Sequence, residues 1–172
     1  MPSLYLIRHG IAVERGTDDS GDRQRPLTTE GRKKTQQVAN RLHDLGLRFD
    51  LLQTSPLVRA QQTAAIFADT FPNCPVQESA ELAPDGNFEH WRERAIQWLF
   101  QQPQPSKASL GIIGHEPDLT TWAELLIWGE AKGVLVLKKA GIIGISLPIP
   151  QPESTWQGNG ILFLSIPPKL LL

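Results

Sequence analysis

Apolar and polar positions fall in blocks along this chain. Ser3–Ile7 is a short apolar run ended abruptly by Arg8-His9-Gly10, which predicts a buried strand with polar groups at its C-terminal mouth. The polar stretch containing Gly16, Asp18, Asp19, Ser20 and Gly21 predicts a loop. Thr28 or Thr29 is placed to cap a helix running to about Leu45, with Val38, Leu42 and Leu45 on one face and Gly46 as its stop. Asp50–Gln53 predicts a short strand. Ser55-Pro56 then has the chemistry of a helix start, and that helix carries Arg59 early and Ala64, Ala65, Phe67 and Ala68 towards the core.

Val76-Gln77 predicts another short strand and Phe88 to about Phe100 another helix. Its Trp91 and Trp98, two turns apart, suit packing better than a ligand box. Leu110–Gly114 predicts a strand with His115-Glu116-Pro117 at its end, and Pro117 suits the first turn of a helix through about Trp128. Beyond Gly133, the segments Val134–Leu137, Ile142–Leu147 and Ile161–Ile166 read as strands joined by Gly and Pro turns. Four strand-to-helix alternations and a strand-rich tail predict a single three-layer α/β domain over residues 1–172, with a mostly parallel central sheet and helices on both faces. No internal repeat is visible, and the Gln/Pro stretch Gln101–Ser106 predicts a surface loop.

Composition narrows the function classes. Seventeen Lys and Arg face eighteen Asp and Glu, a formal net charge of −1, which argues against a general nucleic-acid binder. The single cysteine, Cys74, excludes an internal disulfide and a Cys-based metal cluster, and its loop context suits an unreactive thiol. No segment reaches the roughly 20 apolar residues of a membrane helix. The N-terminus lacks a basic flank before its short apolar run, so a cytoplasmic location is expected, with neither membrane nor nucleic acid as partner.

The candidate chemistry is positional. Polar residues stand at the C-terminal ends of successive strands: Arg8 and His9 after the first, Ser55 with Arg59 after the second, His115 and Glu116 after a later one. In open α/β sheets ligands bind in the crevice beyond those ends, where residues distant in sequence converge. Two arginines and two histidines in one crevice suit a small multivalent anion, and a phosphoryl group fits best. Each guanidinium can hold two phosphoryl oxygens and neutralise developing charge. A histidine attacking phosphorus must present a neutral ring nitrogen, which neighbouring cations favour.

Leu6-Ile7-Arg8-His9-Gly10 resembles the signature of the histidine phosphatase superfamily, the phosphoglycerate mutase-like proteins. Arg25-Pro26-Leu27-Thr28-Thr29-Glu30-Gly31, the segment Ser55-Pro56-Leu57-Val58-Arg59-Ala60-Gln61-Gln62-Thr63-Ala64, and Gly114-His115-Glu116-Pro117 match further blocks of that family in order. The small size, the Arg25–Thr28 block and Glu81–Gly86 look most like its SixA-like phosphohistidine phosphatase branch. The resemblance covers about residues 3–120 and implies a phosphoglycerate mutase-like fold. It implies His9 as nucleophile through a phosphohistidine intermediate, with Arg8, Arg59 and His115 completing a catalytic, phosphate-binding pocket. It also points Arg25 at phosphate, and it implies neither metal nor cofactor, the arginines taking the charge-neutralising role.

A general acid stays open at this point: Glu81, Asp85 and Glu116 are the candidates, and Glu116 equally suits a helix N-terminus. An alkoxide leaving group needs such an acid, whereas a phosphohistidine imidazole is protonated near neutral pH and departs with little help. The expected partner is therefore a phosphohistidine protein in signal transduction. A small phosphorylated metabolite (sugar or nucleotide phosphate), or a phosphate-binding module without turnover, are the alternatives. His43 and His90 read as ordinary exposed histidines, and Arg32-Lys33-Lys34 as a solvated helix face that would greet an acidic partner if it lay at the pocket rim. The short chain leaves little room for insertions over the strand ends, so an open site is expected.

Overall fold

A computed structural model describes residues 1–16, 21–151 and 155–172; Asp18, Asp19 and Ser20 of the expected loop lie outside the described residues. Six strands form one mixed sheet. They are β1 (Ser3–Arg8), β2 (Leu51–Thr54), β3 (Val76–Glu78), β4 (Ser109–Gly114), β5 (Ile142–Ser146) and β6 (Ile161–Ile166), in the order β3-β2-β4-β1-β5-β6. The β3, β2, β4 and β1 neighbours pair in parallel, while β5 runs antiparallel to both β1 and β6. The helices are α1 (Thr29–Asp44), α2 (Val58–Thr70), α3 (Phe88–Phe100) and α4 (Asp118–Trp128).

Strand alternation divides the core between two faces. Leu4 and Leu6 of β1, with Leu110 and Ile112 of β4, pack against Trp91 and Leu99 of α3 and Leu119, Trp122 and Leu126 of α4. Tyr5 and Ile7, with Ile113, point the other way onto Val38 and Leu42 of α1 and Ala64 and Phe67 of α2. This is the expected three-layer arrangement. Trp91 is fully buried and its indole stacks on Trp122 at 5.2 Å, while its Nε1–H donates to Gln53 Oε1 at 3.0 Å.

Several expectations are corrected. Val134–Leu137 forms no strand, because two of its four backbone donors, those of Val134 and Leu135, are already engaged. The carboxylate of Glu124, buried on α4, accepts from the amides of Lys132, Gly133, Val134 and Leu135 at 2.5–2.8 Å. Leu45 lies just past α1 and is 53% exposed, so the buried stripe ends at Leu42. Ala65 is exposed; the buried face of α2 is Arg59, Ala60, Thr63, Ala64 and Phe67. Helix α2 starts at Val58 rather than at Ser55-Pro56, and Ser55 is used elsewhere. Thr28, not Thr29, caps α1, its Oγ1 accepting from Gly31 N–H at 2.9 Å. Burial pushes the Cys74 thiol up to about 11, in keeping with an inert side chain.

Candidate active site

Register aligns the strand ends. Arg8 pairs with Gly114 across β1 and β4, and His9 N–H donates to the Gly114 carbonyl at 3.1 Å. On the other side of β4, Ser55 N–H donates to the Ile113 carbonyl at 2.9 Å. Ser55, His115 and His9 are thus the first residues beyond three adjacent strands. The His9 and His115 rings lie 5.1 Å apart, and both side chains are buried.

His9 Nδ1 lies 2.7 Å from the Gly10 carbonyl, which can only accept, so the hydrogen sits on Nδ1. The Nε2 lone pair is left facing the crevice, where Arg59 Nε–H donates to it at 3.3 Å. Gly10 holds this turn in place: its N–H donates to Thr63 Oγ1 at 3.0 Å, and Thr63 in turn donates to the Arg59 carbonyl at 2.8 Å. A Cβ on Gly10 would stand 2.3 Å from Thr35 Oγ1, so only glycine lets α1 approach the turn this closely.

The remaining donors converge on the same place. Arg59 donates through Nη1 to the Asp22 carbonyl at 2.8 Å and through Nη2 to Asp22 Oδ2 at 3.3 Å. Asp22 Oδ1 accepts from Arg25 Nε at 2.9 Å, so one carboxylate ties Arg25 to Arg59. Arg8 Nη1 donates to the Leu137 carbonyl at 3.0 Å. His115 Nε2 meets Ser55 Oγ at 2.7 Å, and that hydroxyl oxygen accepts from Leu57 N–H. Arg8 Nε and His115 Nδ1 are buried and, among the described residues, have no hydrogen-bond partner. Buried polar atoms are rarely left so, and two at one crevice fit an anionic guest.

Burial sets the electrostatics. It holds His9 well below the usual imidazole range, at about 3, and the neighbouring His115 ring and the Arg59 and Arg8 charges push the same way against the Gly10 hydrogen bond. His115 is likewise lowered to about 3, by burial first and then by Arg59. Both rings are neutral at physiological pH. Burial raises the Glu116 carboxyl, which Thr120 and the Arg8 charge partly offset. Burial opposes ionisation of Asp22 too, but the Arg25 hydrogen bond and the Arg59 charge outweigh it and keep the carboxylate ionised.

Arg8, His9, Arg59 and His115 are brought together; the other candidates are placed differently. Arg25 reaches the site through Asp22, and its Nη1 is spent on the Val13 carbonyl. Glu116 lies just before α4 and accepts from Thr120 N–H and Oγ1–H in its first turn. Glu81 is engaged by Ser79, Arg94 and His90, and Asp85 is exposed in a turn whose amide donates to Asp118. His43 and His90 are both exposed, although His90 pairs with Glu81. Asp22 is not among the residues expected from sequence, its only signal being its i,i+3 spacing to Arg25, and Thr63, which lies in the Ser55–Ala64 block, had no role assigned to it. Among the described residues no group of three or more His, Cys, Asp or Glu side chains is placed to hold a metal ion.

A six-stranded mixed sheet covered on both faces, with two buried histidines and two arginines gathered beyond its strand ends, defines an α/β protein with a cationic crevice. Residues 4–110 match the histidine phosphatase superfamily (branch 1), and the chain belongs to that superfamily. An uncharacterized protein of Picosynechococcus sp. is 41% identical over 169 residues, 98% of each chain. The mitochondrial serine/threonine-protein phosphatase Pgam5 of Drosophila willistoni is 34% identical over 138 residues, 74% of this chain. This chain spans less than half of Pgam5, 46% of its length. The fold is similar to that of the protein histidine phosphatase SixA complexed with tungstate (TM-score 0.80, 24% identity, 99% of each chain). It is also similar to that of a putative alpha-ribazole-5'-P phosphatase from Escherichia coli (TM-score 0.69, 21% identity, 98% of each chain).

Proposed function

We propose that this protein is a phosphatase acting through a covalent phosphohistidine on His9, with phosphohistidine on a protein as its substrate. The observation that carries the reading is the His9 ring: it is held neutral, with Nδ1–H on a carbonyl and the Nε2 lone pair turned towards Arg59. In the first step Nε2 attacks phosphorus, and the bond from phosphorus to the substrate imidazole breaks. That imidazole leaves as a neutral ring, already carrying its proton. In the second step water attacks phosphorus, the bond to Nε2 breaks and inorganic phosphate departs with the water's oxygen. Arg8 Nε–H and, in the tautomer where the Ser55 hydroxyl donates to Nε2, His115 Nδ1–H hold the phosphoryl oxygens, and Arg59 stabilises the charge that develops on them.

The choice of a phosphoamidate rests on where Glu81 and Asp85 lie. Neither Glu81 nor Asp85 hydrogen-bonds to Arg8, His9, Arg59 or His115. Relatives named as protein phosphatases support a protein substrate.

A second reading has its own observation. Glu116 is a half-buried carboxyl raised by burial beside the Arg8 charge, the state wanted of an acid that protonates an alkoxide. It would make the protein a small-molecule phosphomonoesterase. A panel of a phosphohistidine transfer domain, sugar phosphates and nucleotides, run on wild type and Glu116→Gln, separates the two. The first reading expects the phosphoprotein to have the highest kcat/KM and Glu116→Gln to retain it. Preference for an alkyl phosphate, with a 10²–10⁴-fold loss in Glu116→Gln, overturns it.

A further inference from the structure

We propose that a lysine-lined groove leading away from Arg8 docks an acidic segment of the protein substrate. The inference rests on the phosphoprotein reading and adds what the partner must carry. A cavity of about 370 Å³ is lined by Arg8, Lys34, Lys138, Lys139 and Lys169 together with Ile11 and Leu172, and among the described residues no Asp or Glu side chain lines it. Arg8 therefore belongs both to this groove and to the crevice of His9. Lys34 is paired with Glu30 at 2.6 Å, so its charge is partly answered already. Lys138, Lys139 and Lys169 are exposed and, among the described residues, have no carboxylate partner. From Ala131 to Leu172 the sequence contains a single acid, Glu153.

The groove runs on into an apolar cleft. A second cavity, of about 510 Å³, shares Lys138, Pro168 and Lys169 with the first and continues over Val136, Ile166 and Pro167. Val136 is 66% exposed and extends the apolar lining to the surface. Lysines beside an exposed apolar strip match a peptide segment bearing carboxylates and aliphatic side chains. A small polyphosphate has nothing to place on that strip. In a chain of net charge −1, the concentration of unpaired lysines beside the phosphate-binding arginine steers an acidic partner with its phosphoryl group towards His9.

The test uses two twelve-residue peptides, one of alternating Glu and Leu and an isostere with Gln for Glu. Each is prepared with a fluorescent label, and again with a central phosphohistidine. Fluorescence anisotropy reads binding, and phosphate release reads turnover. The Glu peptide is expected to bind wild type at least ten-fold tighter than the Gln peptide, and more weakly as salt rises. Lys138→Gln with Lys169→Gln is expected to erase that preference while keeping kcat/KM for p-nitrophenyl phosphate within about three-fold, which also shows that the variant is folded. Equal binding of the two peptides, or a preference unchanged in the double variant, overturns the docking site. Preferential binding of the Glu peptide with no release from either phosphohistidine peptide upholds the groove and overturns the phosphohistidine reading instead.

Discussion

At His9, one hydrogen bond of 2.7 Å to a backbone carbonyl fixes the tautomer and turns the reactive nitrogen outward. Burial then lowers the ring to about 3, and His115 beside it to about 3. Unfolded, each ring has an ordinary value near 6.5. The unfolded chain therefore binds protons between those limits that the native state refuses. Stability rises with pH through that window, by up to about 1.4 kcal/mol per pH unit for each ring, and is complete above it. The urea midpoint is expected to fall between pH 7 and pH 5, and to fall less in His115→Gln. Nitrogen chemical shifts of both rings are expected to keep a neutral signature down to pH 5; titration near 6.5 would contradict this. Asp22→Asn is a second test at this scale. The Asp22 carbonyl still holds Arg59 in that variant, but the competing carboxylate charge is gone. Inorganic phosphate is expected to inhibit about five-fold more strongly, equivalent to about 1 kcal/mol. His9, Arg59 and His115 were legible because each follows a strand or opens a helix. Asp22 was not, because its partners lie three and thirty-seven residues away and no periodicity announces them.

Between elements, the segment after α4 shows how a local pattern is overridden. Val134–Leu137 has the β-branched, apolar composition of a strand, but a buried carboxylate ten residues earlier takes its amides first. Charge-assisted bonds of that kind are about twice as strong as neutral ones. The same segment supplies the Leu137 carbonyl that anchors Arg8, so Glu124 supports the site from a distance. Glu124→Gln is expected to destabilise the fold by about 3 kcal/mol and to raise KM for a phosphorylated substrate, since one amide oxygen cannot serve four N–H donors. Chemical denaturation together with KM measures both; an unchanged KM would separate the segment from Arg8. The other mismatches are matters of boundary. Leu45 continues the spacing of α1 on paper but falls past its last turn, and Ser55 leaves the helix start to bond His115.

For the molecule as a whole, three layers followed from counting strand-helix alternations, because each crossover helix must cover one face of the sheet. Strand order was not readable in the same way. That β4 lies between β1 and β2 follows from long-range pairing, and it is this order that sets Ser55, His115 and His9 side by side. Near-neutral net charge argued against nucleic acid but concealed a local excess, with Arg8, Arg59 and unpaired lysines on one side of the molecule's chemistry. Among the described residues no helix is long and apolar enough to cross a membrane. In the proposed reaction phosphorus passes through His9 Nε2. Rapid quenching of the enzyme with radiolabelled phosphohistidine carrier protein tests this step. An acid-labile, base-stable phosphoryl group is expected, mapping to His9 and absent from His9→Ala. Equal labelling of that variant, or turnover by wild type with no phosphoenzyme at any quench time, would contradict it.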